Sequence, residues 1–207
     1  MTVTASNYAR KENDLYQTEP WATEALLRRF PVNGQIIWEP SAGNHLMADV
    51  LKESGAIVMT SDIVTYDRPH EAIIDFLKTP EIEPMYVFDG IITNPPYGKQ
   101  NRDAVKYTEL ALQRCSGLVA LLLTAKFDFG STRHHLFRDN PRFTAKINLV
   151  DRISWEGNGK GGTEDHAWYV WTAQRPMYAP VIFYEGRNPV KVQPLAADFA
   201  KMGELLL

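Results

Sequence analysis

The chain has 207 residues, 44% of them apolar and 23% charged, with a formal net charge of −3. That is enough for one sizeable soluble domain, and the balance excludes a protein coated in positive charge for tight non-specific nucleic-acid binding. A single cysteine, Cys115, excludes an intrachain disulfide and fits a reducing cytoplasm. No apolar run approaches the ~20 residues of a membrane span, and Met1-Thr2-Val3-Thr4-Ala5 lacks the basic start and apolar core of a secretory signal. The expected location is the cytoplasm.

Residues 1–15 read as a polar N-terminal segment. Residues 20–30 read as a helix, with Pro20 tolerated in a first turn and Ala22, Leu26 and Phe30 recurring every fourth position. Ile36-Ile37-Trp38 is a short strand running into the small-residue loop Glu39-Pro40-Ser41-Ala42-Gly43. A helix carrying Leu46, Val50 and Leu51 ends near Gly55. Ala56 to Thr60 is the next strand, closed by Ser61-Asp62, and Ile73, Ile74 and Phe76 suggest a brief buried piece around Asp75. Val87 to Ile92 reads as a buried strand, residues 103–115 as a helix with Cys115 on its core face, and Leu118 to Leu123 as a strand buried on both faces. Two further strands follow, Ile147 to Val150 and His166 to Trp171, separated by the glycine-rich loop Gly157 to Gly162. Residues 176–207 form a proline-spaced extension with no assigned structure. Strands alternating with helices imply βαβ units and a mostly parallel sheet, so residues 16–175 read as a single α/β domain.

The stretch with the clearest chemistry is Asn94-Pro95-Pro96-Tyr97, at the end of a strand. Two prolines cannot continue a central strand, because neither has an N–H to donate. They leave a stiff loop whose backbone carbonyls join no ladder. Asn94 Oδ1 and a proline carbonyl can accept the two hydrogens of a planar NH2 group, and Tyr97 can stack on the ring that bears it. The alternative is a Pro-Pro turn whose Asn caps itself.

Ligands of such sheets sit at the carboxyl ends of the strands. There Gly43 lets backbone approach a ligand at a helix N-terminus. Asp62, about 20 residues on, stands where an acid accepts from two ribose hydroxyls, and Asp75 can accept from a base amino group.

In this order the motifs resemble those of class I S-adenosylmethionine-dependent methyltransferases of the amino-methylating type, most of all the small phage-type DNA N6-adenine enzymes. Glu39 to Gly43 is similar to their first cofactor motif, and Asn94 to Tyr97 matches their catalytic motif letter for letter. Asp14 to Trp21 resembles the segment covering the cofactor's methionine end, and His166 to Trp171 resembles the late strand. The resemblance implies a Rossmann-like domain with a seven-stranded, mostly parallel sheet and helices on both faces. It implies methyl transfer from S-adenosylmethionine to adenine N6 in DNA, with Asn94, Pro95, Pro96 and Tyr97 catalytic. The cofactor residues it implies are Tyr16, Thr18, Trp21, Glu39, Pro40, Ser41, Gly43, Asp62, Ile63, Asp75, Phe76 and Asn94. There are two departures: His45 occupies the place of the motif's usual second glycine, where a side chain would narrow the cofactor pocket, and, the larger one, no separate target-recognition domain is expected, so base recognition falls to short loops.

A base in a duplex must be flipped out to reach such a loop. Tyr97 offers one stacking face, and Phe127, Phe129 or Trp155 the other. Lys99, Arg133, Arg138 and Lys160 are candidates for phosphate contacts. The segment 126–146 holds Lys126, Arg133, Arg138, Arg142 and Lys146 against Asp128 and Asp139, which favours nucleic acid over protein. His134-His135 lacks nearby Cys or acidic partners and reads as surface, so no metal is expected. RNA adenine, a protein glutamine amide, and a non-catalytic binding module stay open as alternatives.

Overall fold

The computed structural model describes residues 15–79, 87–173 and 180–189. Residues 1–14 of the polar N-terminal segment, and residues 176–179 and 190–207 of the C-terminal extension, lie outside the described residues.

Eight strands form one sheet in the order β3-β2-β1-β4-β5-β7-β6-β8. They are β1 (Ile36–Glu39), β2 (Ile57–Asp62), β3 (Ala72–Ile73), β4 (Gly90–Thr93), β5 (Leu118–Thr124), β6 (Phe143–Leu149), β7 (His166–Trp171) and β8 (Val181–Glu185). Strand β1 runs parallel to β2 and β4, and β4 parallel to β5. Strand β7 inserts antiparallel between β5 and β6. The sequence-based expectation of a mostly parallel sheet holds, but the strand number is eight rather than seven.

The extra strand lies in the extension beyond residue 175. β8 pairs parallel with β6 and is pinned from the far side of the chain. Its last residue, Glu185, is buried and accepts from Arg28 at 2.9 Å and Arg29 at 2.6 Å. Two cations on one carboxylate offset the cost of burying it.

Helices α1 (Pro20–Leu27) and α2 (Leu46–Glu53) belong to one apolar layer, which contains Ala22, Leu26, Met47 and Leu51. Helix α3 (Arg102–Arg114) packs in the other, with Tyr107, Ala111 and Cys115 beside Trp38 and Tyr169. Val119 to Leu123 of β5 are all buried, because both faces of that strand are covered. Helix α1 stops at Leu27 rather than Phe30, since Pro31 disfavours helical backbone at the residue before it.

The run from Val87 enters the sheet only at Gly90, and Val87 itself is 82% exposed. Asp89 accounts for the delay: its carboxylate and its N–H both bond to Ile36, at 2.8 Å each. Gly90 then fits between strands where a Cβ would lie 3.0 Å from both Ile37 Cδ1 and the Leu118 carbonyl. No helix among the described residues is long and apolar enough to cross a membrane.

Candidate active site

Strands β1, β2 and β4 all point their carboxyl ends at one cavity of about 590 Å³. The loop after β1 forms its floor. Gly43 takes φ +51°, and its N–H donates to Asp62 Oδ2 at 2.9 Å. Asp62 Oδ1 accepts from Ile63 N–H at 2.7 Å. The Asp62 carboxylate therefore fixes the spacing between the ends of two strands. Burial raises its pKa, and these two N–H bonds act against that rise.

Glu39 ends β1 and is almost wholly buried. Burial raises its pKa well above the usual carboxylate range, and nearby Asp62 adds to the rise. An Ala48 N–H bond works the other way. Oε2 of Glu39 has no partner among the described residues, although Glu39 lines the cavity. A buried acceptor without a donor is costly unless a ligand supplies one.

The opposite wall comes from Asp75, Phe76 and α3. Phe76 and Tyr107 stack with centroids 4.1 Å apart, and the Tyr107 hydroxyl meets Ser41 Oγ at 2.8 Å. Asp75 pairs with Lys78 at 2.9 Å, and both line the cavity. The roof is the strip Leu15 to Thr18. Gln17 Oε1 accepts from Asn44 N–H at 3.3 Å, and a Cβ on Gly43 would press on Gln17 Nε2 and come within 3.0 Å of Leu15 Cδ1.

Of the residues expected around the cofactor, Tyr16, Thr18, Glu39, Pro40, Ser41 and Gly43 line this cavity, as do Asp62, Ile63, Asp75, Phe76 and Asn94. Trp21 does not. It is buried in the α1 layer, donates Nε1 to Glu19 at 3.0 Å, and carries the Arg187 guanidinium over its ring at 5.0 Å. His45 does not narrow the cavity either. It adopts φ +68°, the left-handed conformation glycine favours, and is absent from the cavity lining. Its Nε2 meets His70 Nδ1 at 2.8 Å.

The Asn94 loop borders the same cavity through Asn94 and Pro96. Asn94 Nδ2 donates to the Tyr16 carbonyl at 3.3 Å, which assigns the amide orientation and leaves Oδ1 as the acceptor. Tyr97 donates its hydroxyl to the Leu122 carbonyl at 3.1 Å, and burial raises its pKa. Beside it lies an aromatic line. The ring of Tyr97 stacks on His166 at 6.1 Å, His166 meets Trp155 edge-on at 5.0 Å, and Trp155 meets Tyr16 edge-on at 6.0 Å. Glu19 braces this line by accepting from Ser154 N–H at 2.7 Å and from Arg187 at 2.8 and 3.0 Å.

Several expected substrate contacts are placed elsewhere. Phe127 is buried against Phe137 and Tyr169, with Arg133 over its face at 4.4 Å, so it offers no stacking surface. Arg133 also donates to the Phe127 carbonyl at 2.8 Å. Arg138 pairs with its neighbour Asp139, and Arg142 donates to three carbonyls, those of Leu112, Gly117 and Thr172. Lys146 is buried on Asp128 and the Ala125 carbonyl. The basic run 126–146 is therefore largely engaged within the fold and forms no continuous phosphate-facing patch. Phe129 is exposed, as are Lys99, Lys126 and Lys160, whose ammonium groups pair with no other described side chain. His134 pairs with Asp139 and His135 with Glu109, and no cluster of three metal-ligating groups occurs among the described residues.

Sequence reasoning missed Tyr107, Asp103, Tyr66 and Lys78, all on the cavity wall. The spacing of Asp103 and Tyr107 carried a signal, since residues four apart share one helix face.

No protein-family model matches the chain, and no curated protein matches it. Solved structures do. A protein from Pyrococcus horikoshii assigned as an RNA methyltransferase superposes with a TM-score of 0.55 at 14% identity, over 74% of this chain and 80% of that one. The methyltransferase subunit of a type I restriction-modification system from Streptococcus thermophilus gives 0.60 at 12%, over 91% of this chain and 52% of that one. The modification subunit of an assigned type I restriction enzyme from Vibrio vulnificus gives 0.60 at 10%, over 92% and 52%. The fold is the Rossmann-like class I methyltransferase fold. The chain spans about half the length of the two restriction subunits.

Proposed function

We propose that the chain transfers a methyl group from S-adenosylmethionine to the N6 amine of adenine in DNA. The observation that carries this reading is Asn94 at the end of β4, its Oδ1 bonded to no other described residue, beside a cavity floored by Gly43 and Asp62. The fold neighbours support it at the level of the superfamily, and the two restriction subunits favour a nucleic acid.

The residues present fit the donor. Glu39 Oε2 is a buried acceptor without a partner, suited to the methionine ammonium. Asp62 retains lone pairs for ribose hydroxyls, and Phe76 with Tyr107 presents an aromatic wall where Asp75 can accept from an adenine amino group. Bound there, S-adenosylmethionine supplies a methyl group activated by a positively charged sulfur.

The chain's own part is to turn a poor nucleophile into an adequate one. The lone pair of an adenine amine is delocalised into the ring. Asn94 Oδ1 and the Pro95 carbonyl accept its two hydrogens and favour the pyramidal form. Those bonds strengthen as positive charge builds on nitrogen, so they stabilise the transition state more than the ground state. Tyr97 and Trp155 supply stacking surface for an extruded base.

The test incubates the protein with labelled S-adenosylmethionine and, separately, DNA, total RNA and protein extract, followed by nuclease digestion and base analysis. Label in N6-methyladenine from DNA is the expected result. Label only in RNA or protein overturns the DNA assignment, and no label anywhere overturns methyl transfer.

A further inference from the structure

His166 has no role in the chemistry described so far, yet it is the one imidazole in the aromatic line beside Asn94. It opens β7, is 5% exposed, stacks on Tyr97 and meets Trp155 edge-on. Its Nδ1 is buried and has no partner among the described residues. In the tautomer with its hydrogen on Nε2, Nδ1 carries an unshared lone pair in a dry setting. A buried acceptor of this kind either carries a cost with no return or meets a donor brought by a ligand.

The chemistry proposed above brings such a donor. When the methyl carbon exchanges its bond to sulfur for one to nitrogen, the amine holds four bonds and a positive charge. Asn94 Oδ1 and the Pro95 carbonyl can hold its hydrogens but cannot keep a proton. Resting on the methyl-transfer reading, we propose that His166 is a further catalytic residue, whose Nδ1 accepts the proton the methylated nitrogen must lose. One N–H bond breaks, its electron pair stays on nitrogen, and the proton passes to Nδ1 and from there to solvent. Glu164 and Asp165 precede the imidazole in sequence. A hydrogen bond to the Glu164 backbone and the Asp165 carboxylate favour the transient cation, whereas burial opposes it most and holds the pKa down to about 4. The ring is therefore proton-free and ready at neutral pH. A weak base is sufficient, because a protonated aryl amine is a far stronger acid than imidazolium.

The experiment measures single-turnover methyl transfer to an adenine-containing duplex by the full-length chain, with S-adenosylmethionine binding followed by calorimetry. His166→Ala should keep donor affinity within about 3-fold and lose about 10²-fold in rate, the usual worth of a positioned proton acceptor. Added imidazoles of graded basicity should restore the rate in proportion to basicity, which simple cavity filling would not do. His166→Asn puts an acceptor that cannot take a proton near Nδ1, guards against a folding defect in the alanine variant, and should be equally slow. A rate within 3-fold of wild type in either folded variant, or rescue indifferent to basicity, overturns the proton acceptor while leaving methyl transfer standing. A wild-type chain that transfers no label to DNA, RNA or protein overturns both.

Discussion

Asn94 and Tyr16 are 78 residues apart in sequence, and the amide of one donates to the backbone carbonyl of the other at 3.3 Å. The bond ties the loop that would activate the acceptor amine to the strip roofing the donor cavity. Asn94→Ala removes both the Oδ1 acceptor and this tie. Turnover should fall about 10²–10³-fold, as for loss of one transition-state hydrogen-bond partner. Donor affinity, which the proposed site assigns mainly to Glu39 and Asp62, should change by less than about 5-fold. Single-turnover kinetics beside calorimetry checks both halves, and an active Asn94→Ala enzyme would remove the basis of the mechanism.

Gly43→Ala should weaken the donor site. A side chain at φ +51° costs roughly 1–2 kcal/mol in backbone strain, and its methyl would press on Gln17 and Leu15 in the roof. S-adenosylmethionine affinity should drop about 10-fold or more, read by calorimetry, with the far-ultraviolet spectrum unchanged.

Glu39→Gln separates stability from binding. The buried carboxyl has an unpartnered oxygen and a strongly raised pKa, so a neutral amide relieves a cost in the empty protein. The melting temperature should rise by about 2–4 °C, while donor affinity falls about 10-fold as the ammonium loses its counter-charge. A variant that binds the donor as tightly as wild type would remove Glu39 from the binding site.

His166 sets a pH dependence of stability. Its folded pKa of about 4 lies below the ordinary imidazole value of 6.5. As pH falls below 6.5 the unfolded chain takes up a proton that the folded chain refuses, so stability is lost progressively down to pH 4. The full effect is about 3 kcal/mol at most. His45, also depressed by burial, works in the same direction, whereas Glu39, raised by burial, works in the opposite one. Denaturant titrations of wild type and His166→Asn at pH 7 and pH 5 isolate the term, and the pH loss should be smaller in the variant.

Much of this architecture was legible in the chain because it is carried by contiguous signals. The run His166 to Trp171 became β7 residue for residue, and eleven of the twelve residues expected around the cofactor line one cavity. Trp21 lies outside that lining; an aromatic beside a motif resembles a ligand contact until its partner Glu19 is seen. The basic segment 126–146, with Lys146, Arg142 and Arg133, misleads for a related reason. A count of charges says nothing about partners, and these three side chains are held by Asp128 and by backbone carbonyls that only tertiary structure brings near. Strand β8 was overlooked although Val181 to Tyr184 is an apolar run. Its place depends on Arg28 and Arg29, more than 150 residues away.

The strip Leu15 to Glu19 has a kinetic consequence. Its first four residues line the cavity, Tyr16 accepts from the Asn94 amide, and Glu19 bonds to Ser154 in the loop that carries Trp155. On the methyl-transfer reading proposed above, donor and acceptor would share this one piece of backbone, so occupancy of one side bears on the other. Donor first and nucleic acid second is the order of addition expected on that reading. Product inhibition by S-adenosylhomocysteine should accordingly be competitive with the donor and non-competitive with the acceptor.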